Sequence, residues 1–288
     1  MRLTEIEAKS VITASKLPDA DYVINPFTGC IFGCHYCYAS FMGRSVGETR
    51  EAWGDYVYVK LNAVELCRAE VQKMTSAARQ GTILLSSVTD PYQGAEAKYR
   101  LTRGILWVLS EEKYPGLVSI LTKSPLVTRD IDVLSSLPRC EVGVTVTTTD
   151  DRISKWLELR APLASKRFAA LTALHAAGLE TYAFIGPVLP HFVERPELLD
   201  ELFGQIRSTG VRSVYVEHIN LRAYIRERLD PVMAGEPEAV QRVYFQARKD
   251  EHRHRLDGVI APLLVKHDLR LRLGEILYHN APSTSSEP

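Results

Sequence analysis

The chain carries no surplus of charge. Its 35 lysines and arginines are matched by 35 aspartates and glutamates over 288 residues, so no global field draws it onto nucleic acid or an anionic membrane, and only a local basic groove stays open as a route to such partners. No apolar run approaches the length of about 20 residues that crosses a bilayer. The opening MRLTEIEAKS lacks the apolar segment of a secretory signal. A cytoplasmic protein with no membrane partner is expected. Cysteine is scarce, five in all, and an odd count in a long chain without a signal segment fits no disulfide framework.

Three of those five cysteines fall within eight positions, in NPFTGCIFGCHYCY, residues 25–38. A folding core has no use for such a concentration, and a metal site does. Zinc would call for a fourth ligand, and His35 lies inside the loop, where it cannot easily join Cys30, Cys34 and Cys37 in one tetrahedron. Three thiolates on one short loop can instead hold three corners of an iron–sulfur cube, leaving one iron free for a cofactor or substrate.

At 45% hydrophobic residues, the chain can bury a large core, and one α/β domain is the default. Residues 1–21 read as a polar lead-in. A short strand begins at Tyr22 and runs into the cysteine loop. Residues 40–58 read as irregular, and Asn62 as the cap of a helix over 62–78. On that helix Cys67 shares a three- and four-residue apolar spacing with Val64, Val71 and Met74, which makes it a packing residue.

A repeated unit follows, a buried strand ending in a polar tip and then a helix. Strands are expected at 82–88, 117–121, 141–146, 181–185 and 211–216, with helices over 101–112, 127–137, 164–177 and 196–208. Six strands alternating with helices predict a parallel sheet with right-handed crossovers, an open (β/α)6 partial TIM barrel whose chemistry lies beyond the C-terminal strand ends. Cys140 precedes a strand and so belongs at the opposite face. The core is placed at 22–222 and a helical extension at 223–280, with 236–256 as a solvated helix on which His252 and His254 face different sides. A disordered tail is expected at 281–288.

These motifs together resemble the radical S-adenosylmethionine (SAM) superfamily, and within it the spore photoproduct lyase-like family. The resemblance covers about residues 22–220 and rests on the cysteine stretch, SSVTDPYQGAE with LTRGIL, LTKSPLVTRDIDVL, VTVTTTD, LELRAP and GPVLP. It implies a [4Fe-4S] cluster on Cys30, Cys34 and Cys37, with SAM on the open iron cleaved to a 5′-deoxyadenosyl radical. It also implies a reducing partner such as flavodoxin or ferredoxin. By motif, Thr89 and Asp90 fall near the SAM amino group, Lys123 pairs with its carboxylate, Thr145 or Thr147 bonds the ribose, and Glu158 or Arg160 lies close by, with Tyr38 also on the cofactor side. Ser124 and Thr149 read as helix caps.

Spore photoproduct lyase carries a hydrogen-donating cysteine directly before its Thr/Ser-Asp pair, and this chain has Val88 there. The resemblance therefore leaves Tyr36, Tyr38 and Tyr92 as the nearest candidates to finish the reaction. It favours a small molecule or another non-thymine target as substrate, with repair of a DNA lesion as the alternative. A reading of another class is an iron–sulfur sensor that binds a partner without turnover.

Overall fold

A computed structural model describes residues 1–278; the expected tail at 281–288 lies outside the described residues. The chain opens with β1 (Arg2–Ile6), β2 (Ile12–Ala14), β3 (Tyr22–Ile24), β4 (Phe27–Thr28) and β5 (Tyr56–Lys60). Helices and strands then alternate: α1 (Ala63–Lys73), β6 (Ile83–Leu85), α2 (Gly94–Tyr99), α3 (Leu101–Glu111), β7 (Val118–Thr122), α4 (Ile131–Leu134), β8 (Cys140–Thr145), α5 (Asp151–Leu157), α6 (Ala164–Ala176), β9 (Glu180–Val188), α7 (Pro196–Ser208) and β10 (Ser213–His218). The helices α8 (Ala223–Met233), α9 (Glu238–Gln246) and α10 (Asp250–Lys266) precede β11 (Arg270–Leu271).

Strands β3, β6, β7, β8, β9 and β10 lie side by side in chain order, all parallel. That is the expected open (β/α)6 barrel. Its strands are apolar on both faces because helices cover one face and the barrel interior the other; Val142, Gly143 and Val144 are all buried. A Cβ on Gly143 would sit 2.2 Å from the Tyr182 ring, so only glycine lets that ring cross β8. On α7, Pro196 fits the first turn, where its missing N–H has no helical partner, and Leu199, Leu202, Phe203 and Ile206 form one buried stripe.

The N-terminal end of the barrel is filled by polar groups. Arg272 Nη2 donates to Glu141 at 2.7 Å, and its guanidinium lies 4.6 Å from the Tyr182 ring centre and 5.2 Å from that of Tyr215. The C-terminal end is left for chemistry.

Several local expectations give way to tertiary pairing. The polar lead-in holds two strands: β1 pairs with β5 and β2 with β3. The stretch expected to be irregular contains a 3-10 helix over Tyr38–Val46 and part of β5. Asn62 makes no side-chain cap to α1; its amide instead accepts from Ala8 N and donates to Ala8 O, both at 2.9 Å. The single helix expected over 236–256 is two, because Lys249 turns extended (φ −98°, ψ 143°). His252 is buried on α10, a helix packed against α7 and the turn at Pro190–Val193, and is no part of a solvated face. β11 adds to the edge of the sheet beside β10.

Candidate active site

The cysteine loop leaves the sheet at β3, and its entry is fixed by bonds between side chains and backbone groups. Asn25 Oδ1 accepts from Ser87 N at 3.1 Å and Val88 N at 3.3 Å, tying the loop entry to the tip of β6. Gly29 has φ +88°, and a Cβ there would lie 2.5 Å from the Tyr56 carbonyl oxygen, so the loop can follow this path only with glycine. Gln93, fully buried, accepts from Ile31 N at 2.9 Å and donates to Gly29 O at 3.1 Å. Thr89 Oγ1 donates to the same carbonyl at 2.6 Å.

Cys30 and Cys34 are buried and Cys37 is half-buried; all three are free thiols. Burial, then Asp90, Cys34 and Cys37, push the Cys30 thiol well above its ordinary pKa. Burial likewise pushes Cys34 up to about 12, against the pull of Lys123. The thiols act on one another's charge, yet among the described residues no three His, Cys, Asp or Glu side chains converge as a single metal ion requires.

Beside them stand the tips of β6, β7 and β8. Asp90 is held by three donors: Thr122 Oγ1 at 2.6 Å, Lys123 N at 2.8 Å and Tyr92 N at 2.9 Å. Its carboxylate therefore fastens the β6 tip to the β7 tip. Lys123 Nζ lies 5.8 Å from the centre of the Tyr36 ring, with no carboxylate in ion-pair contact among the described residues. Burial alone would lower its pKa, but Cys34, Glu158 and Asp90 hold it above the ordinary lysine value, so it stays charged. Thr145 and Thr147 are buried at the end of β8, and Thr147 Oγ1 has no hydrogen-bond partner.

Under the loop lies a buried charged network. Tyr36 OH donates to Glu158 Oε1, and Glu158 pairs with Arg167 on α6; both members of that pair are fully buried. Arg167 also donates to Pro162 O at 2.8 Å, Ser154 Oγ at 3.2 Å and Thr145 O at 3.4 Å.

Over residues 24–202, well over half of the chain, the sequence matches the family model described as the radical SAM superfamily. The chain belongs to the radical SAM superfamily. Members of that superfamily use a [4Fe-4S] cluster and SAM. An uncharacterised protein of Methanocaldococcus jannaschii is 34% identical over 223 residues, 77% of this chain and 80% of the relative. One from Mycobacterium tuberculosis is 31% identical over 283 residues, 92% of this chain and 81% of the relative.

Among solved structures, spore photoproduct lyase complexed with dinucleoside spore photoproduct superposes with a TM-score of 0.68 at 15% identity, covering 93% of this chain and 81% of that one. A mutant of the same lyase superposes at 0.70 and 16% identity over the same shares of each chain. At that identity the likeness is one of fold.

Within this radical SAM chain the residues expected at the site are not all turned the same way. Cys30, Cys34, Cys37, Lys123, Thr145, Thr147 and Asp90 gather around the loop and strand tips. Arg160 is on the outer side, donating to Gly54 O at 2.6 Å and Asp55 Oδ1 at 2.9 Å. Glu158 is committed to Tyr36 and Arg167. Of the three tyrosines, Tyr92 is buried, and burial, then Asp130 and Glu96, push its hydroxyl well above the ordinary pKa. Tyr38 alone is half-exposed, its hydroxyl on Ser87 O beside Val88.

Ser124 accepts from Leu126 N at 3.3 Å, a capping contact as expected. Sequence reasoning missed Asn25 and Gln93, whose partners named above lie 62 or more positions away, and Arg167, whose partners lie between 5 and 22 positions back on separate turns and strand ends. It also missed Arg228 on α8, whose Nη2 donates to Gly33 O at 3.4 Å. For Asn25 and Gln93 a signal existed: a carboxamide directly before a glycine-rich loop, and another at a strand tip.

No described helix is long and apolar enough to cross a membrane.

Proposed function

We propose that this chain is a radical SAM enzyme in which Cys30, Cys34 and Cys37 hold three irons of the cluster and SAM takes the fourth. The observation that carries the reading is one constellation. Of the three thiols of a braced loop, Cys34 and Cys37 feel the charge of Lys123, an ammonium in no ion pair among the described residues, and Thr147, a buried hydroxyl without a partner, lies just past the C-terminal end of β8 in the same parallel barrel. Zinc thiolates sit about 3.8 Å apart, from Zn–S bonds of about 2.3 Å. A four-iron cube is larger than one ion, and three thiols of one loop that act on one another's charge suit three of its corners.

When bound, cluster and SAM supply one-electron cleavage to a 5′-deoxyadenosyl radical. The protein's residues bind and orient. Lys123 is the charged partner for the SAM carboxylate. Thr147, with Thr145, serves the ribose. Asp90 holds the backbone of Lys123 in place, and with three of about four acceptor sites taken its Oδ2 keeps one for the SAM amino group, beside Thr89.

The substrate in this proposal is a small molecule or another non-thymine target. Val88 has no hydrogen to give at useful speed, and Tyr38, whose hydroxyl reaches the carbonyl just before it, is the best-placed group to finish the reaction. The likeness of fold to a spore photoproduct lyase complexed with dinucleoside spore photoproduct favours DNA repair as the second reading. The test is anaerobic incubation of reduced, reconstituted protein with SAM. Formation of 5′-deoxyadenosine is expected, and none with a full cluster present would mean a cluster-holding protein without turnover.

A further inference from the structure

The helix α8 lies in the segment that follows the sheet, yet it grips the cysteine loop. Tyr224 and Arg228 are four residues apart and so share one face of α8. Tyr224 OH donates to Tyr38 O at 3.2 Å, just past Cys37. Arg228 Nη2 donates to Gly33 O at 3.4 Å, just before Cys34. One helical face thus touches the loop on either side of its last two cysteines.

The guanidinium does not look like a mere clamp. It is half-buried, its Nη1 is buried with no hydrogen-bond partner, and among the described residues no carboxylate forms an ion pair with it. Glu51 is the carboxylate whose charge reaches it. A cation left uncompensated in a partly desolvated place is costly unless something negative completes it. The negative body on offer is at the loop itself, where three thiolates outweigh the charge of an oxidised four-iron core.

We infer that Arg228 is a charge-tuning residue that makes the cluster held by the cysteine loop easier to reduce. The inference rests on the reading of Cys30, Cys34 and Cys37 given above. One electron arrives from a low-potential donor, no bond forms or breaks and no proton moves, so the loop gains one negative charge. A fixed cation close by stabilises the reduced state more than the oxidised one, and low local dielectric strengthens the effect. Arg228 need not touch SAM or substrate to act in this way.

The test is an anaerobic potentiometric titration of reconstituted protein, followed by electron paramagnetic resonance, for wild type, Arg228→Lys and Arg228→Gln, with iron and sulfide measured in each. Gln keeps a donor for Gly33 O and removes the charge; Lys keeps the charge. At a fixed potential Arg228→Gln is expected to lower the reduced-to-oxidised ratio about tenfold, equivalent to about 59 mV for a one-electron couple, while Lys stays near wild type. An unmoved potential in Gln with a full cluster overturns the inference, as does loss of the cluster in both variants, which would make Arg228 a loop clamp. Cys34→Ala separates the two levels. A cluster that survives Cys34→Ala overturns the assignment of the cysteines and this inference with it. A cluster lost there, with an unmoved potential in Arg228→Gln, overturns this inference alone.

Discussion

Replacing Arg167 by Met tests whether the buried network under the cysteine loop is what holds it. Arg167 and Glu158 are fully buried and paired, and Met fills a similar length without charge. Glu158 then keeps the Tyr36 and Ser154 hydroxyls but loses its adjoining cation. Breaking a buried pair by removing one partner costs about 3–5 kcal/mol, a large share of the roughly 5–15 kcal/mol that holds a domain folded. At about 2 °C per kcal/mol, the low end for large domains, the Tm of the apoprotein falls by about 6–10 °C.

The pH dependence carries a sign. In the intact protein, burial raises the Glu158 pKa, but Arg167, Lys123 and hydrogen bonds outweigh it, and the net position is below the ordinary value. Its contribution is therefore present above the unfolded pKa of about 4.3 and is lost only as pH falls through the lower folded value. Without Arg167, burial dominates and the folded pKa rises above the unfolded one. The folded variant then holds a proton that the unfolded chain has released, so its stability falls as pH rises from about 5 towards 8. Thermal unfolding by circular dichroism at both ends of that range measures the gap, which should widen with pH. The double variant Arg167→Met/Glu158→Gln should recover most of the loss and its pH dependence. A loss below about 1 kcal/mol, or one equal at both pH values with no recovery in the double variant, would refute the argument.

Ala at Cys30, Cys34 or Cys37 should abolish the cluster's visible absorption after anaerobic reconstitution, whereas Cys67→Ala and Cys140→Ala should keep it; about eight irons per chain would instead point to a second cluster. Lys123→Ala should weaken SAM binding by about 1.5–3 kcal/mol, the scale of a charged hydrogen bond, with absorption intact; unchanged affinity in equilibrium dialysis would mean that Lys123 faces away from SAM. Reduced protein supplied with SAM should leave spore photoproduct unrepaired, and multiple-turnover release of thymine pairs from lesion-bearing DNA would overturn the role given to Val88.

The sequence by itself determined what is local. Cysteine spacing is a property of one loop, and a buried strand followed by a polar tip and a helical period is a property of one βα unit; repeated, these lead to a parallel sheet in chain order because right-handed crossovers allow little else. Cys67 on α1 and Ser124 as a cap were legible for the same reason. Only the tertiary structure decided which polar groups meet.

Tyr36 and Glu158 are 122 positions apart, and Arg228 and Gly33 are 195 apart; no periodicity links them. Asn62 forgoes the cap that its position invites because Ala8 offers it both a donor and an acceptor. His252, polar in a charged run, is buried because α10 is packed against α7 and the turn at Pro190–Val193. Pairing across the fold brings burial and hydrogen-bond partners that a local window does not contain, and where those compete with intrinsic preference they prevail.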